Sequence, residues 1–509
     1  MVITRKGTVL IMFKDIATET AYNGRLNRYV TAMRNGTPDR IPIRFLYQEA
    51  AARHCGVSNQ TVACDYGAAF DVTRKMAADM GNDAVMLNAI WSNYAVAKAA
   101  SWRYLAVPGV DINVESVNQY FEPAADEDAF LQFDEYEEFI DDPTAFLFNK
   151  WLSRATTRVR ACGAPVDFDH NLALISGALA YANYMNSFGP AAYKLKYEAG
   201  VVSANSGMIK APLDILMDKF RGYLNVCADV LEHPKKVLSA CEALMPHILA
   251  NALGGADPDK NVPITIWAHR GCVPFISPKV FDDIYWPTLK PIFEEIIRQG
   301  HQILFYGEGN WERHYDSLLE LPAGGIIYHL DKGDPALAAK KLKPKFALSG
   351  GVSYDVLARG TPDDVRSHLR DLFAVLKDGG GYILDAGALM LSDIDPQNVK
   401  AAADYTMEHG TYSQSTSVTT ARTAASASAT GHVASASATG HVASASSDNP
   451  SPVSFIPDNP GARKPNVCRP WELESQAYRH LSGDVGLVRS QWEKADAAAY
   501  NYLWTTVLW

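Results

Sequence analysis

Short apolar runs recur along the chain: Ile41–Leu46, Asp83–Ile90, Ile264–Ala268, Ile303–Tyr306, Ile326–Leu330, Phe346–Leu348 and Tyr382–Leu384. Runs of this length, with little polar alternation, predict parallel strands buried on both faces. Between several of them the apolar positions fall at helical spacing. Ser277-Pro278 supplies an N-cap and first-turn residue for a helix carrying Phe281, Ile284, Leu289, Ile292, Phe293 and Ile296 on one face. Pro287 and Pro291 are expected to kink or split it, and Gly300 to stop it. Thr361-Pro362-Asp363-Asp364 opens another helix, with Val365, Leu369, Leu372 and Leu376 inward and Gly379–Gly381 as its end. Repeated β-α units over 20–412 predict a (β/α)8 TIM barrel with insertions, in preference to an open doubly wound sheet.

The pattern changes at residue 412. Residues 413–447 are almost entirely Ala, Ser, Thr and Gly, and ATGHVASAS occurs at 429–437 and again at 438–446. Such a stretch buries too little apolar surface to offset its ordering entropy, so a disordered linker is expected. His432 and His441 repeat with that linker rather than marking a metal site. Residues 448–470 carry six prolines, and 471–509 holds Trp471, Trp492, Trp504 and Trp509. The chain thus divides into a barrel domain at 1–412, a linker at 413–470 and a short helical, Trp-rich tail at 471–509. That tail is too short for a core of its own. It is expected to dock on a barrel, as an oligomer-forming arm rather than a lid, and the protein to be a homo-oligomer.

Composition narrows the function. A net charge of -10 argues against nucleic acid as a main partner. No apolar run approaches the ~18 residues of a membrane span, so no membrane partner is expected. The apolar stretch Val9–Phe13 is too short for a signal-peptide core, and a cytoplasmic location is expected. The 7 cysteines are widely spaced with no C-x-x-C, which speaks against a disulfide framework or zinc ribbon. Neither a G-x-G-x-x-G at a strand-to-helix turn nor a P-loop is present. The acidic run Asp126–Asp142 reads as the solvated face of an insertion.

HRGCVPFISPKVFDDIYWP at 269–287, ILFYGEGN at 303–310, SGGV at 349–352, TPDDV at 361–365 and GGYILDAG at 380–387 follow in an order that resembles the uroporphyrinogen decarboxylase superfamily. Thr37-Pro38-Asp39-Arg40-Ile41-Pro42 and Phe220-Arg221-Gly222 support the resemblance, which runs over roughly 25–412. It implies a (β/α)8 barrel with one of two chemistries: cofactor-free decarboxylation, or methyl transfer to or from a corrinoid cobalt. Decarboxylases of the family carry R-Q-A-G-R after the first strand. Here Ile43-Arg44-Phe45-Leu46-Tyr47-Gln48-Glu49 offers only Arg44. Coenzyme M methyltransferases of the family hold zinc with His-x-Cys and a last-strand Cys. Here Tyr306 and Glu308 occupy the His-x-Cys positions, and LDAGALM has no Cys. What remains is the ether-cleaving (O-demethylase) type of corrinoid methyltransferase, or a relative working on another methylated or methyl-accepting small molecule, either being closer than the true decarboxylases. A cofactor-free lyase and a non-catalytic barrel binding a tetrapyrrole or a partner protein are the alternatives.

Barrel active sites lie at the C-terminal ends of strands. The polar residues expected there are His269, Tyr306, Glu308, His329, Asp331 and Asp385, with Arg44 on the first strand. Glu308, His269 and Tyr306 are the expected catalytic residues, with Glu308 as general acid on the leaving oxygen. His269, Glu308 and His329 form a candidate nitrogen-and-oxygen zinc site. Gly307, Gly309, Gly350 and Gly351 would permit close approach of a corrin ring. No D-x-H-x-x-G corrinoid motif occurs. Cobalamin is therefore expected free or on a separate corrinoid protein, and the other partner is a small-molecule methyl donor or acceptor.

Overall fold

The apolar runs become staves of one parallel ring. A computed structural model describes residues 12–90, 94–103, 105–120, 122–123, 125–412, 462–478 and 482–508, with the backbone of Val2–Ile3 and Val9–Leu10. Six strands pair side by side in chain order: Gly207–Lys210, Ile264–Ala268, Ile303–Asn310, Ile326–Lys332, Ala347–Gly350 and Tyr382–Ile383. All of these pairings are parallel. Beyond the last strand, Leu384 bridges Ile43 and Met390 bridges Tyr47, so 41–47 is the next stave. Asp83 and Ala84 donate their N–H groups to the Ile43 carbonyl. Ala84–Val85 then pairs in parallel with Val202–Ser203, which leads into Gly207–Lys210. The ring closes on eight staves among the described residues, a (β/α)8 barrel.

Side-chain alternation sorts the residues into two layers. Leu304, Tyr306, Ile327, Ala347 and Ile383 form the core inside the ring. Their neighbours of opposite parity, Phe305, Tyr328, Leu348 and Leu384, pack outward against the helices. The Thr361 capping box forms as expected, with reciprocal Thr361 and Asp364 bonds starting Pro362–Leu376. The helix after Ser277 is split before the prolines rather than at them. A π-helical turn, Phe281–Tyr285, separates Pro278–Val280 from Trp286–Arg298, leaving Pro287 in the first turn of the latter.

Three features differ from the sequence reading. The stave 202–210 is not legible as an apolar run, because Ser203, Asn205 and Ser206 interrupt it. Each finds a backbone carbonyl partner, at Asn205, Gly207 and Pro263 respectively. The acidic run is only partly solvated. Glu135 is buried and held by Arg154 and Lys150, and Asp126 and Asp142 pair with Arg221 and Arg463. Pro234–Gly254 is long and apolar enough, by length and composition, to cross a membrane. In this fold its Ala240, Leu244, Met245 and Ile248 are buried in the outer core.

Most of the expected linker, 413–461, lies outside the described residues, as does Trp509. The tail's long helix, Val485–Leu508, packs on its own barrel domain, against Pro234–Gly254 and Phe168–Tyr193. Trp504 is buried there, stacked on His247 at 3.9 Å and donating Nε1–H to Thr144 Oγ1 at 3.1 Å. Tyr500 Oη lies 2.7 Å from His247 Nδ1. An aromatic segment finds in cis the apolar partner it needs.

Candidate active site

The C-terminal ends of the staves open into a continuous cavity of about 2620 Å3. Lys210, Trp267, His269, Arg270, Glu308 and Asp331 line it, as do tail residues such as Trp471 and Trp492. The polar cluster is built by consecutive staves. Lys210 ends Gly207–Lys210, Trp267 lies near the end of Ile264–Ala268 with His269 just beyond it, and Glu308 lies on Ile303–Asn310. Register places Lys210 beside Trp267 and Trp267 beside Tyr306.

Two aspartates organise the cluster. Asp214 and Asp218 lie on the two turns after the Lys210 strand, in Pro212–Ile215 and Leu216–Arg221. Asp218 receives Lys210 Nζ at 2.7 Å, His269 Nε2 at 2.9 Å and Arg270 Nε at 3.0 Å. Asp214 accepts the His269 and Arg270 backbone N–H groups, both at 3.2 Å, and the Tyr285 hydroxyl at 3.0 Å. Burial works against the Asp218 charge, but His269, Lys210 and Arg270 outweigh it and hold its carboxyl far below the usual range. Burial, joined by the Asp218 charge, pushes Asp214 up. Burial also opposes charge on His269, yet Asp218 and Asp214 prevail and raise its pKa. These residues escaped the sequence reading because their strand did. The signal available was Asp214 and Asp218 at helical i, i+4 spacing just past Lys210.

Glu308 faces the cavity with Oε1 accepting Trp267 Nε1–H at 2.9 Å. Burial pushes its carboxyl up, against the opposing pull of the His269 charge and the Trp267 hydrogen bond. Asp331 also lines the cavity, accepting the Gly309 N–H at 2.7 Å, and burial raises it too. His269, Glu308, Asp331 and Gly309 are thus brought together at the barrel mouth.

The remaining candidates lie elsewhere. Tyr306 is fully buried, sandwiched between Trp267 and His329 at ring distances of 4.1 Å and 4.1 Å, and does not line the cavity. His329 is enclosed in the barrel interior, its Nε2 donating to Gly387 O at 2.8 Å and its Nδ1 facing Ser349 Oγ at 3.2 Å. Burial lowers its pKa to about 3, so it is a neutral core histidine. His329 is therefore not assembled with His269 and Glu308, and the expected zinc trio does not fit. No group of three His, Cys, Asp or Glu is disposed to hold a metal among the described residues. Arg44 and Asp385 are buried against each other, away from the cavity.

Three of the four glycines also have other reasons. A Cβ on Gly350 would meet Leu330 O at 2.5 Å, and one on Gly307 would meet Phe305 and Trp311 at 2.9 Å. Gly351 has φ +83 and packs beside Leu372 and Leu330. Gly309, with φ +90, is the one of the four that lines the cavity.

A closed parallel barrel with its titratable cluster at the C-terminal rim has the layout of the (β/α)8 enzymes. Residues 191–409 match the family model described as uroporphyrinogen decarboxylase (URO-D). The resemblance to that superfamily, carried in the sequence by HRGCVPFISP and GGYILDAG, is thereby shown over the second half of the barrel. Among solved structures, the fold is similar to that of a methyltransferase from Methanosarcina mazei, with a TM-score of 0.51 and 15% sequence identity. The likeness covers 75% of this chain and 98% of that one. No curated protein matches the sequence.

Proposed function

We propose that the protein is a methyltransferase that moves a methyl group between a small organic substrate, a methyl ether or close analogue, and a corrinoid. The observation that carries the reading is Glu308: a carboxyl at the barrel mouth, held by Trp267 and pushed toward its neutral form. Cleaving a methyl ether leaves an alkoxide or phenoxide, which needs a proton. A buried acid facing the cavity is suited to give one. Trp267 keeps the Glu308 carboxyl oriented, and the stacked Tyr306 behind it fixes the indole. The Asp214–His269–Asp218 array holds His269 rigid beside the acid.

The cavity suits a bulky cofactor, since drug-sized ligands occupy only ~300–1,000 Å3. Met86, Ile90, Phe275 and Leu389 give it apolar walls near the strand ends, where a corrin ring would rest. The corrinoid, when bound, supplies the nucleophile for the methyl carbon. The likeness to a methyltransferase fold supports the same reading. Arg44, paired with Asp385 and away from the cavity, offers no carboxylate receptor at the place where the family's decarboxylases have theirs.

The test mixes the protein with reduced cobalamin and a panel of methoxylated phenols. The expected result is loss of the cob(I)alamin absorbance together with a demethylated phenol. Carbon dioxide release without cobalamin would instead establish a lyase and overturn the proposal.

A further inference from the structure

The insertion helix Phe168–Tyr193 is apolar on two opposite faces. Its inner face, with Ala173, Gly177, Tyr181 and Tyr184, is buried. The tail supplies part of that cover: a Cβ on Gly177 would meet Tyr502 Oη at 2.5 Å, and the Tyr181 and Tyr502 rings lie 5.7 Å apart. On the outer face, half a turn away, Phe168, Leu172, Ile175 and Leu179 stand 77%, 41%, 58% and 60% exposed. A surface helix turns polar residues outward, and one that is apolar all round is ordinarily buried. The four residues follow one another at intervals of 4, 3 and 4, the spacing of a coiled-coil seam. The next two seam positions are Ala182 and Asn186, so the stripe of large apolar side chains ends after about three turns. Val166, just before the helix, and Leu174 are exposed as well. Together these side chains leave about 600 Å2 of apolar surface open, the upper end of what a monomer carries and most of the ~800 Å2 per partner of a stable interface.

We infer that this stripe is the contact between two copies of the chain, crossing antiparallel about a two-fold axis between Leu172 and Ile175. A two-fold contact buries the same patch on both copies, and this stripe is its own complement. Phe168 packs beside Leu179 of the partner subunit, and Leu172 beside Ile175 of the partner subunit. Antiparallel crossing opposes the two helix dipoles and leaves Asn186 beyond the overlap. A parallel crossing would gather the Asp167 and Asp169 carboxylates of both copies and bring two Asn186 side chains into the seam. The chain's own segment 413–461 is no match for the stripe. Its large apolar side chains, Val418, Val433, Val442, Val453, Phe455 and Ile456, never repeat at 4, 3 and 4. The oligomer is then built by the insertion helix rather than by the tail, whatever reaction the barrel carries out.

Light scattering of the full chain at micromolar concentration is expected to give twice the 55.7 kDa chain mass. Ile175→Arg puts two like charges at the centre of the seam and is expected to give the mass of one chain. Its circular dichroism should be unchanged, since Ile175 is exposed within a single copy. The melting temperature of the unmodified protein should rise with protein concentration, and that of Ile175→Arg should not. Cross-linking tests the direction, in a Cys162→Ser background that removes the exposed native thiol. Phe168→Cys and Leu179→Cys combined in one chain are expected to give oxidised dimers, and neither change alone. Cross-linking by Phe168→Cys alone would overturn the antiparallel contact. A dimer that survives Ile175→Arg would place the interface elsewhere and overturn the inference. A monomeric full chain would overturn it as well. Apolar-dye binding abolished by Ile175→Arg would then leave the stripe to a different protein, and no such binding would assign it to another segment of this chain.

Discussion

Arg44 and Asp385 meet inside the ring with Nη2 and Oδ2 3.0 Å apart, and through that contact the first stave grips the last. Arg44 Nε adds a second bond to the same oxygen at 3.1 Å, and Nη2 also reaches Ser349 Oγ at 2.9 Å. The other carboxylate oxygen accepts the Leu46 and Ala386 N–H groups. Two residues that read as site candidates in the sequence are the clasp of the barrel.

Asp385→Asn should therefore act on stability before activity. It leaves the Arg44 guanidinium buried without its counter-charge, at a cost of about 3–5 kcal/mol. Urea denaturation measures this. The paired change Arg44→Met with Asp385→Leu should recover most of the loss, and a clasp that mattered only for ligand binding would show neither effect.

Glu308→Gln keeps an acceptor for Trp267 and removes the acid. Demethylation should fall by about 10²–10⁴-fold with the thermal melt unchanged. A fall confined to KM would place Glu308 in binding rather than proton transfer.

Gly350→Ala tests whether that glycine serves the backbone or a ligand. Its φ of +85 and the 2.5 Å approach to Leu330 O leave no room for a methyl group. Strain of about 1–3 kcal/mol is expected as a lowered melting temperature. A protein of unchanged stability with weakened cobalamin binding would return Gly350 to the site.

His247 should make docking of the tail pH-dependent. Stacked on Trp504 and beside Tyr500, it is buried, and burial lowers its pKa to about 3. In the unfolded chain it titrates near 6.5, so the unfolded state takes up the proton first as pH falls. The stabilisation is complete above about pH 6.5 and is lost progressively toward pH 3, with a total on the order of 4–5 kcal/mol. Tryptophan fluorescence followed through this window should report release of the tail. A His247→Phe protein should show a weaker dependence, because His314 and His329, also lowered to about 4 and about 3, remain.

What the sequence determined by itself was the arrangement of strongly apolar local elements. Ile264–Ala268 or Ile326–Leu330 can satisfy neither face in water, so such runs enter a buried sheet whatever surrounds them. Thr361 and Asp364 satisfy each other within one turn, so that helix start needs no distant partner. The tertiary structure decided everything that depends on a partner far along the chain. The stave 202–210 forms because Ser206 finds Pro263 and Ala84–Val85 finds Val202–Ser203. Glu135 turns inward, and Asp126 and Asp142 are held at the surface, only because Arg154, Arg221 and Arg463 arrive from other segments. His269 and His329 are alike in type, but His269 stands just past the end of Ile264–Ala268 while His329 lies in the middle of Ile326–Lys332. Barrel register puts His329 in the layer of Trp267 and Tyr306, inside the core, and His269 one layer further along beside Asp218 at the cavity, because strand stagger around a closed ring sets how deep each side chain lies.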